Sequence, residues 1–176
     1  MAPYIKRMPA GIAGSITRPL ETTTEPGRLQ PNTGANAADA VTEYGCAAVL
    51  DATTKLYRLP KAGDTAADIV LLPRPYPGGL PEFMGTLGVT PVDYVHTADI
   101  MKRGYMSVKL RGVTAAAKGG TVYVRIAAAA AGKPIGGFEA AADSTNTVAL
   151  DSKTEFMGAA YTDAVFGAMT EIAFNI

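Results

Sequence analysis

The stretch Tyr105-Met106-Ser107-Val108-Lys109-Leu110-Arg111 alternates apolar and polar side chains. Successive residues of an extended chain point to opposite faces. Met106, Val108 and Leu110 therefore share one face, and Ser107, Lys109 and Arg111 share the other. A helix would scatter both sets around its axis, so the period reads as a half-buried strand. Thr121–Ile126 repeats the pattern, with Val122, Val124 and Ile126 inward and Thr121, Tyr123 and Arg125 outward. The linker between the two ends in Lys118-Gly119-Gly120, which predicts a β-hairpin. The closing residues Glu171–Ile176 alternate again, with Ile172, Phe174 and Ile176 on one face.

Working outward, the remaining apolar runs are short and end at turn formers. Val41–Leu50 stops at Asp51, Leu56–Leu59 at Pro60, and Ala67–Leu72 at Pro73. Weaker strands lie near Ile135–Glu139, Thr147–Leu150 and Thr154–Ala159. With 19 Gly and 12 Pro in 176 residues, the chain is built for many short strands joined by turns and not for long helices. The expected class is all-β, a jelly roll or a related small β-sandwich or barrel. Residues 90–103 admit two readings. Thr90-Pro91 has the form of a helix start and Gly104 of a helix end. The β-branched Val92, Val95, Thr97 and Ile100 fit a strand equally well.

Residues 1–40 differ from the rest of the chain. Pro3, Pro9, Pro19, Pro26 and Pro31 interrupt any period. The organisation expected is an extended Pro/Thr/Gly-rich N-terminal arm over 1–40 and a β domain over 41–176. The arm reads either as a disordered tail or as a segment ordered on a neighbouring subunit. In the second reading Tyr4, Ile5, Met8, Ile12, Ile16 and Leu20 are apolar anchors, and Lys6, Arg7, Arg18 and Arg28 supply charge. Residues 1–35 should then be removable from a folded β domain with weakened attachment. A second candidate contact is the Pro- and Gly-rich loop 73–91, which carries Tyr76, Leu80, Phe83, Met84 and Leu87 in an irregular segment. The partner-binding candidates are thus Tyr4, Ile5, Lys6, Arg7, Ile12, Ile16, Arg18, Tyr76, Leu80, Phe83 and Met84.

Composition and motifs narrow the function. Lys plus Arg equals Asp plus Glu at 16 each, which argues against nucleic acid as the main partner, since phosphate binding needs a cationic surplus. No segment approaches the run of about 20 apolar residues that a membrane span needs, and the N-terminus lacks a signal-peptide core. A soluble protein made in the cytoplasm is expected. The lone Cys46 reads as a buried inert thiol and the lone His96 as a structural histidine, far in sequence from any nucleophile motif. One Cys and one His cannot close a zinc site. Gly132-Lys133 ends like a phosphate loop, but Pro134 stands where Ser or Thr is required, and Ala127 where the first Gly is required. Asp64, Asp68, Asp93, Asp99, Glu139, Asp143 and Asp151 lack calcium-loop spacing and read as turn residues. The expectation is a protein without cofactor, metal or catalytic residues.

The run Met101-Lys102-Arg103-Gly104-Tyr105-Met106-Ser107-Val108-Lys109-Leu110 leads through Ala115–Lys118 to Gly119-Gly120-Thr121-Val122-Tyr123-Val124-Arg125. Ala131-Gly132-Lys133-Pro134-Ile135-Gly136-Gly137-Phe138-Glu139-Ala140 and Asp143 come next, and the chain closes on Glu171-Ile172-Ala173-Phe174. This order resembles the phage structural cement proteins, which decorate and lock icosahedral capsids. The likeness covers roughly 95–176, with weaker agreement over 35–72. It implies a jelly-roll or related fold and strand over Tyr94–Met101. It further implies a homo-oligomer, dimer in preference to trimer, seated across capsomer boundaries on the capsid surface. The partner it implies is the major capsid protein. The loops 73–91 and 158–170 are longer than the pattern requires. An alternative is a tail or receptor-binding β domain recognising carbohydrate, with Tyr76, Tyr94 and Tyr105 as stacking platforms. A third, an enzyme on a jelly-roll fold, would rest on His96 alone.

Overall fold

The computed structural model describes residues 11–75, 91–163 and 166–176. In chain order the strands are β1 (Thr23–Gly27), β2 (Cys46–Leu50), β3 (Tyr57–Arg58), β4 (Ile69–Leu72), β5 (Ala98–Arg111), β6 (Tyr123–Arg125), β7 (Phe138–Glu139), β8 (Thr147–Ala149), β9 (Glu155–Phe156), β10 (Tyr161–Asp163) and β11 (Gly167–Phe174). They hydrogen-bond into one curled sheet, and the only helices among the described residues are single 3-10 turns. The all-β expectation of a sandwich or barrel holds. Among the described residues no helix is long and apolar enough to cross a membrane.

The alternating stretch at 105–111 is the second half of β5, a strand of 14 residues. β5 is paired along both edges. Met101 lies opposite Thr24 of β1 and Leu71 of β4, while Met106 lies opposite Ile172 of β11 and bridges Ile16. At its end Leu110 and Arg111 run parallel to Phe138 and Glu139 of β7. Met101, Met106, Val108 and Leu110 feed the main core with Phe138, Phe156, Ile172 and Phe174. Truncating any of these buried phenylalanines to Ala would cost about 3–5 kcal/mol.

The strands β2 and β4 are buried on both faces, which explains why they read as continuous apolar runs. Ala47, Val49, Ile69 and Leu71 face the main core. Cys46, Ala48, Val70 and Leu72 face a second core with Ile100, Leu29, Val41, Tyr44 and Tyr57. That second core is covered largely by chain from the N-terminal segment and by Val92 and Tyr94.

The hairpin expected between 105–111 and 121–126 does not form. β7 lies between the two strands, pairing parallel with β5 and antiparallel with β6. A linker of this length exceeds the roughly two to five residues of ordinary hairpin loops, leaving room for Phe138 to enter the core. For residues 91–97 neither helix nor strand is correct. Asp93 Oδ1 accepts the N–H groups of Val95 (2.8 Å) and His96 (3.1 Å), turning the chain, and the strand starts at Ala98. Gly104 ends no helix; it sits inside β5 at φ +143°, where an added Cβ would collide with Thr22 Oγ1.

That contact belongs to the segment read as an arm. Of its described part, the stretch from Gly14 to Gly27 is laid on the chain's own β5, and residues 28–39 bond beside β3. Gly14 N–H donates to Ser107 O (2.8 Å), Ser107 N–H to Ser15 O (2.9 Å) and Thr17 N–H to Tyr105 O (3.1 Å). A 3-10 turn at Pro19–Glu21 comes next, and β1 then pairs with residues 98–103. Pro26 stands in a strand paired on one edge only, where its missing N–H is tolerated. Leu29 is buried in the second core. This packing sets a test of the expectation that residues 1–35 are dispensable for folding. Deleting them removes β1, Leu29 and the strip along Ser107, so the truncated chain should show no cooperative thermal unfolding. Retained two-state melting within a few degrees of full length would contradict this packing.

Candidate functional site

Burying a charged side chain requires a partner for each polar atom, and such groups are where chemistry would be sought. Arg125, expected on the outer face of its strand, is instead buried at 1 % exposure. Its Nε lies 2.6 Å from Glu139 Oε1 and its Nη2 2.5 Å from Asp143 Oδ2. Its Nη1 donates to the carbonyls of Ala128 (3.1 Å) and Ala127 (3.4 Å). Lys133 Nζ completes a neutral group at 3.1 Å from Glu139 Oε2 and 3.8 Å from Asp143 Oδ2. Register explains the geometry: Glu139 lies opposite Tyr123, one diagonal step from Arg125. The hydrogen bond from Arg125 holds the Asp143 carboxyl below its ordinary range.

A cleft of about 230 Å³ opens beside this group, between residues 111–114 and 139–143. Its cations are already matched: Arg111 pairs with Glu43, and Lys133 with Glu139. Its carboxylates, Glu139 and Asp143, are bound to Arg125 and Lys133, and the described residues contain no cluster of His, Cys, Asp and Glu fit to hold a metal ion. The arrangement ties β6, β7 and the adjoining loops together.

A second buried cation acts similarly. Arg58 is bidentate to Asp64 (2.8 and 3.0 Å), and its Nε lies 3.2 Å from Asp51 Oδ2. Asp51 Oδ1 also caps the turn by accepting the N–H groups of Thr53 and Thr54, both at 2.9 Å. The N–H groups of Thr54 and Thr53, then Arg58, push Asp51 down to about 2.

The structure distributes the sequence candidates unevenly. Tyr4, Ile5, Lys6, Arg7, Tyr76, Leu80, Phe83 and Met84 lie outside the described residues. Ile12 is half-buried, and Ile16 packs against the main core beside Met106. Arg18 stacks 3.9 Å above the Tyr105 ring and pairs with Glu171 at 3.3 Å. Ile16 and Arg18 thus hold the segment to its own domain. Tyr105 is buried, and Tyr94 is half-buried against the second core with its hydroxyl donating to Val41 O (2.5 Å). Cys46 is buried, its S–H donating to Glu43 O, and burial pushes the thiol far up. His96 is exposed, Nδ1 2.7 Å from Asp93 Oδ2, and closes a surface turn.

Sequence reasoning missed Arg125, because a charged residue at an alternate strand position reads as solvent-facing. It also did not single out the exposed apolar side chains Val95 and Val113. Leu20, expected as an anchor, has its side chain in solvent.

A family model described as XM1 gp53 minor capsid protein matches residues 1–172. The chain belongs to that family. A solved chain from the capsid of Myoviridae phage XM1 has the same fold, with a TM-score of 0.64 at 15 % identity, covering 99 % of this chain and 98 % of that one. No curated protein matches. The resemblance to phage capsid-associated proteins, first drawn from 95–176, thus extends over nearly the whole sequence. Membership in a minor capsid family gives the chain a structural role at the phage capsid, in the virion.

In this minor capsid protein the buried ion groups are structural, and substitution should show it. Arg125→Ala leaves Glu139 buried beside Lys133 alone and should lower unfolding free energy by about 3–5 kcal/mol, read by urea denaturation. A loss within experimental error would remove Arg125 as a structural centre. For Asp51, the folded value near 2 lies below the ordinary 3.8. Its contribution is therefore complete above about pH 4 and is lost as pH falls toward 2. Asp51→Asn should flatten the fall of Tm across that window; an unchanged slope would contradict the assignment.

Proposed function

We propose that the protein is a capsid cement protein, seated on the outside of a phage head across capsomer boundaries, where it stabilises the expanded shell. One observation carries this reading beyond family membership. The buried cations Arg58 and Arg125 are spent on pairs inside the fold, while Leu20, Val95 and Val113 stand apolar and exposed on loops. Exposed apolar side chains on loops suit attachment to a partner. The partner is the major capsid protein. Residues Tyr4, Ile5, Lys6 and Arg7, with Tyr76, Leu80, Phe83 and Met84, are proposed as further contacts.

The mechanism is mass action. A protein that binds several capsomers at once, and binds them only when assembled, shifts the equilibrium toward the assembled shell. Homo-oligomerisation, as a dimer in preference to a trimer, turns weak single contacts into firm attachment when its symmetry matches the lattice. Neutral net charge suits a protein that coats the shell without touching the genome.

The test is co-sedimentation of purified protein with expanded, undecorated capsids, with unexpanded shells as control. Saturable binding to expanded shells alone is expected, with a copy number that distinguishes two-fold from three-fold sites. Absence of binding to either form would overturn the cement reading.

A further inference from the structure

We infer that a second copy of this chain pairs with the outer edge of β8, so that two β8 strands run antiparallel about a two-fold axis at Val148. This rests on the homo-oligomer of the cement reading and assigns it an interface.

β8 ends the ladder that runs through β5, β7 and β6, and among the described residues it pairs with β6 alone. Register fixes which of its backbone groups are used. Val124 lies opposite Val148, while Leu150 N–H donates to Val122 O (2.9 Å) on one side and Ile126 N–H to Asn146 O (2.8 Å) on the other. The residues bonded to β6 are thus 146, 148 and 150. Successive residues of an antiparallel strand turn their backbone groups to opposite edges. The N–H and C=O groups of Thr147 and Ala149 therefore point away from β6, and none of them bonds to another described backbone group.

Open edges are normally guarded by proline, by charge or by covering chain. β1 holds Pro26 and β10 includes Asp163. Beside β3 run residues 28–30, where Arg28 O accepts from Tyr57 N–H and Gln30 N–H donates to Tyr57 O, both at 2.8 Å. β8, with the sequence Thr-Val-Ala, has no such guard.

What fits this edge follows from its register. With Val148 on the two-fold axis, Thr147 of each copy faces Ala149 of the other. Thr147 and the partner's Ala149 then exchange both N–H···O bonds, and the symmetric pair does the same, so every outward group is satisfied. Val148, half-buried against the main core, meets its counterpart in a non-hydrogen-bonded pair, the closer of the two pair types.

Charge favours the same arrangement. Asp143 precedes β8 and Lys153 follows it, and Lys153 is exposed with no ion pair among the described residues. Antiparallel pairing carries each Lys153 toward the partner's Asp143, whereas a parallel neighbour would set like charges side by side. Asp151, the other charge at that end, caps its own turn by accepting Lys153 N–H at 3.0 Å, and falls across from Thr145. A shell strand can satisfy the backbone groups; the self-matching ends single out a second copy.

Analytical ultracentrifugation of the free protein, without shells, tests this. Wild type should form a dimer that dissociates on dilution. Ala149→Pro removes an outward N–H and puts a ring in the partner's path without touching a bond to β6. It should weaken dimerisation roughly tenfold or more at nearly unchanged Tm. Lys153→Glu should weaken it less and reverse the effect of salt, while Ala149→Ser should dimerise as wild type. A wild type still monomeric at about 100 μM, a trimer, or a dimer that Ala149→Pro leaves intact would overturn the pairing. Should Ala149→Pro not fold, Lys153→Glu decides in its place, since it removes no intramolecular ion pair. A monomer that loses shell binding on Ala149→Pro would give this edge to a shell strand and overturn the second-copy assignment. Because the dimer is measured without shells, its failure is distinct from failure of the cement reading, which is read from binding to shells alone.

Discussion

Met101 and Met106 are each paired on both edges of β5, and that double pairing organises the molecule. One strand of 14 residues serves as neighbour to β1, β4, β7 and β11. Its apolar side chains reach both cores, Ile100 toward one and Met101, Met106, Val108 and Leu110 toward the other. A sheet built on one long strand must curl, since each pairing adds twist in the same sense. The cost is an unguarded edge, and the N-terminal segment covers it from Gly14 to Gly27. Gly104 is where the two chains approach too closely for a side chain.

The ionic groups have a consistent logic. Arg58 and Arg125 are long, planar and always charged, and each gathers two carboxylates, Asp51 and Asp64 for one, Glu139 of β7 and Asp143 for the other. Loops rich in Ala and Gly cannot be held by burial alone, so directional bonds define them. The cleft near Lys133 is lined by part of this ionic group.

Much of this was legible in the sequence. Period-two alternation at Tyr105–Arg111 and Glu171–Ile176 marked strands that exist, paired with each other. The continuous apolar runs at 46–50 and 69–72 are strands buried on both faces. What only the tertiary structure decided is everything that depends on non-local pairing. The insertion of β7 between β5 and β6 comes from Phe138 finding the core, which no window around 105–126 contains. The inward turn of Arg125 depends on carboxylates 14 and 18 residues away. The role of 11–40 was hidden because proline-broken sequence has no period, yet backbone N–H and C=O groups of such a chain still bond to any open edge. Alternation is a property of one strand and its two faces. Which strand lies beside it is settled by distant residues competing for the same edge, and a linear sequence does not carry that competition locally.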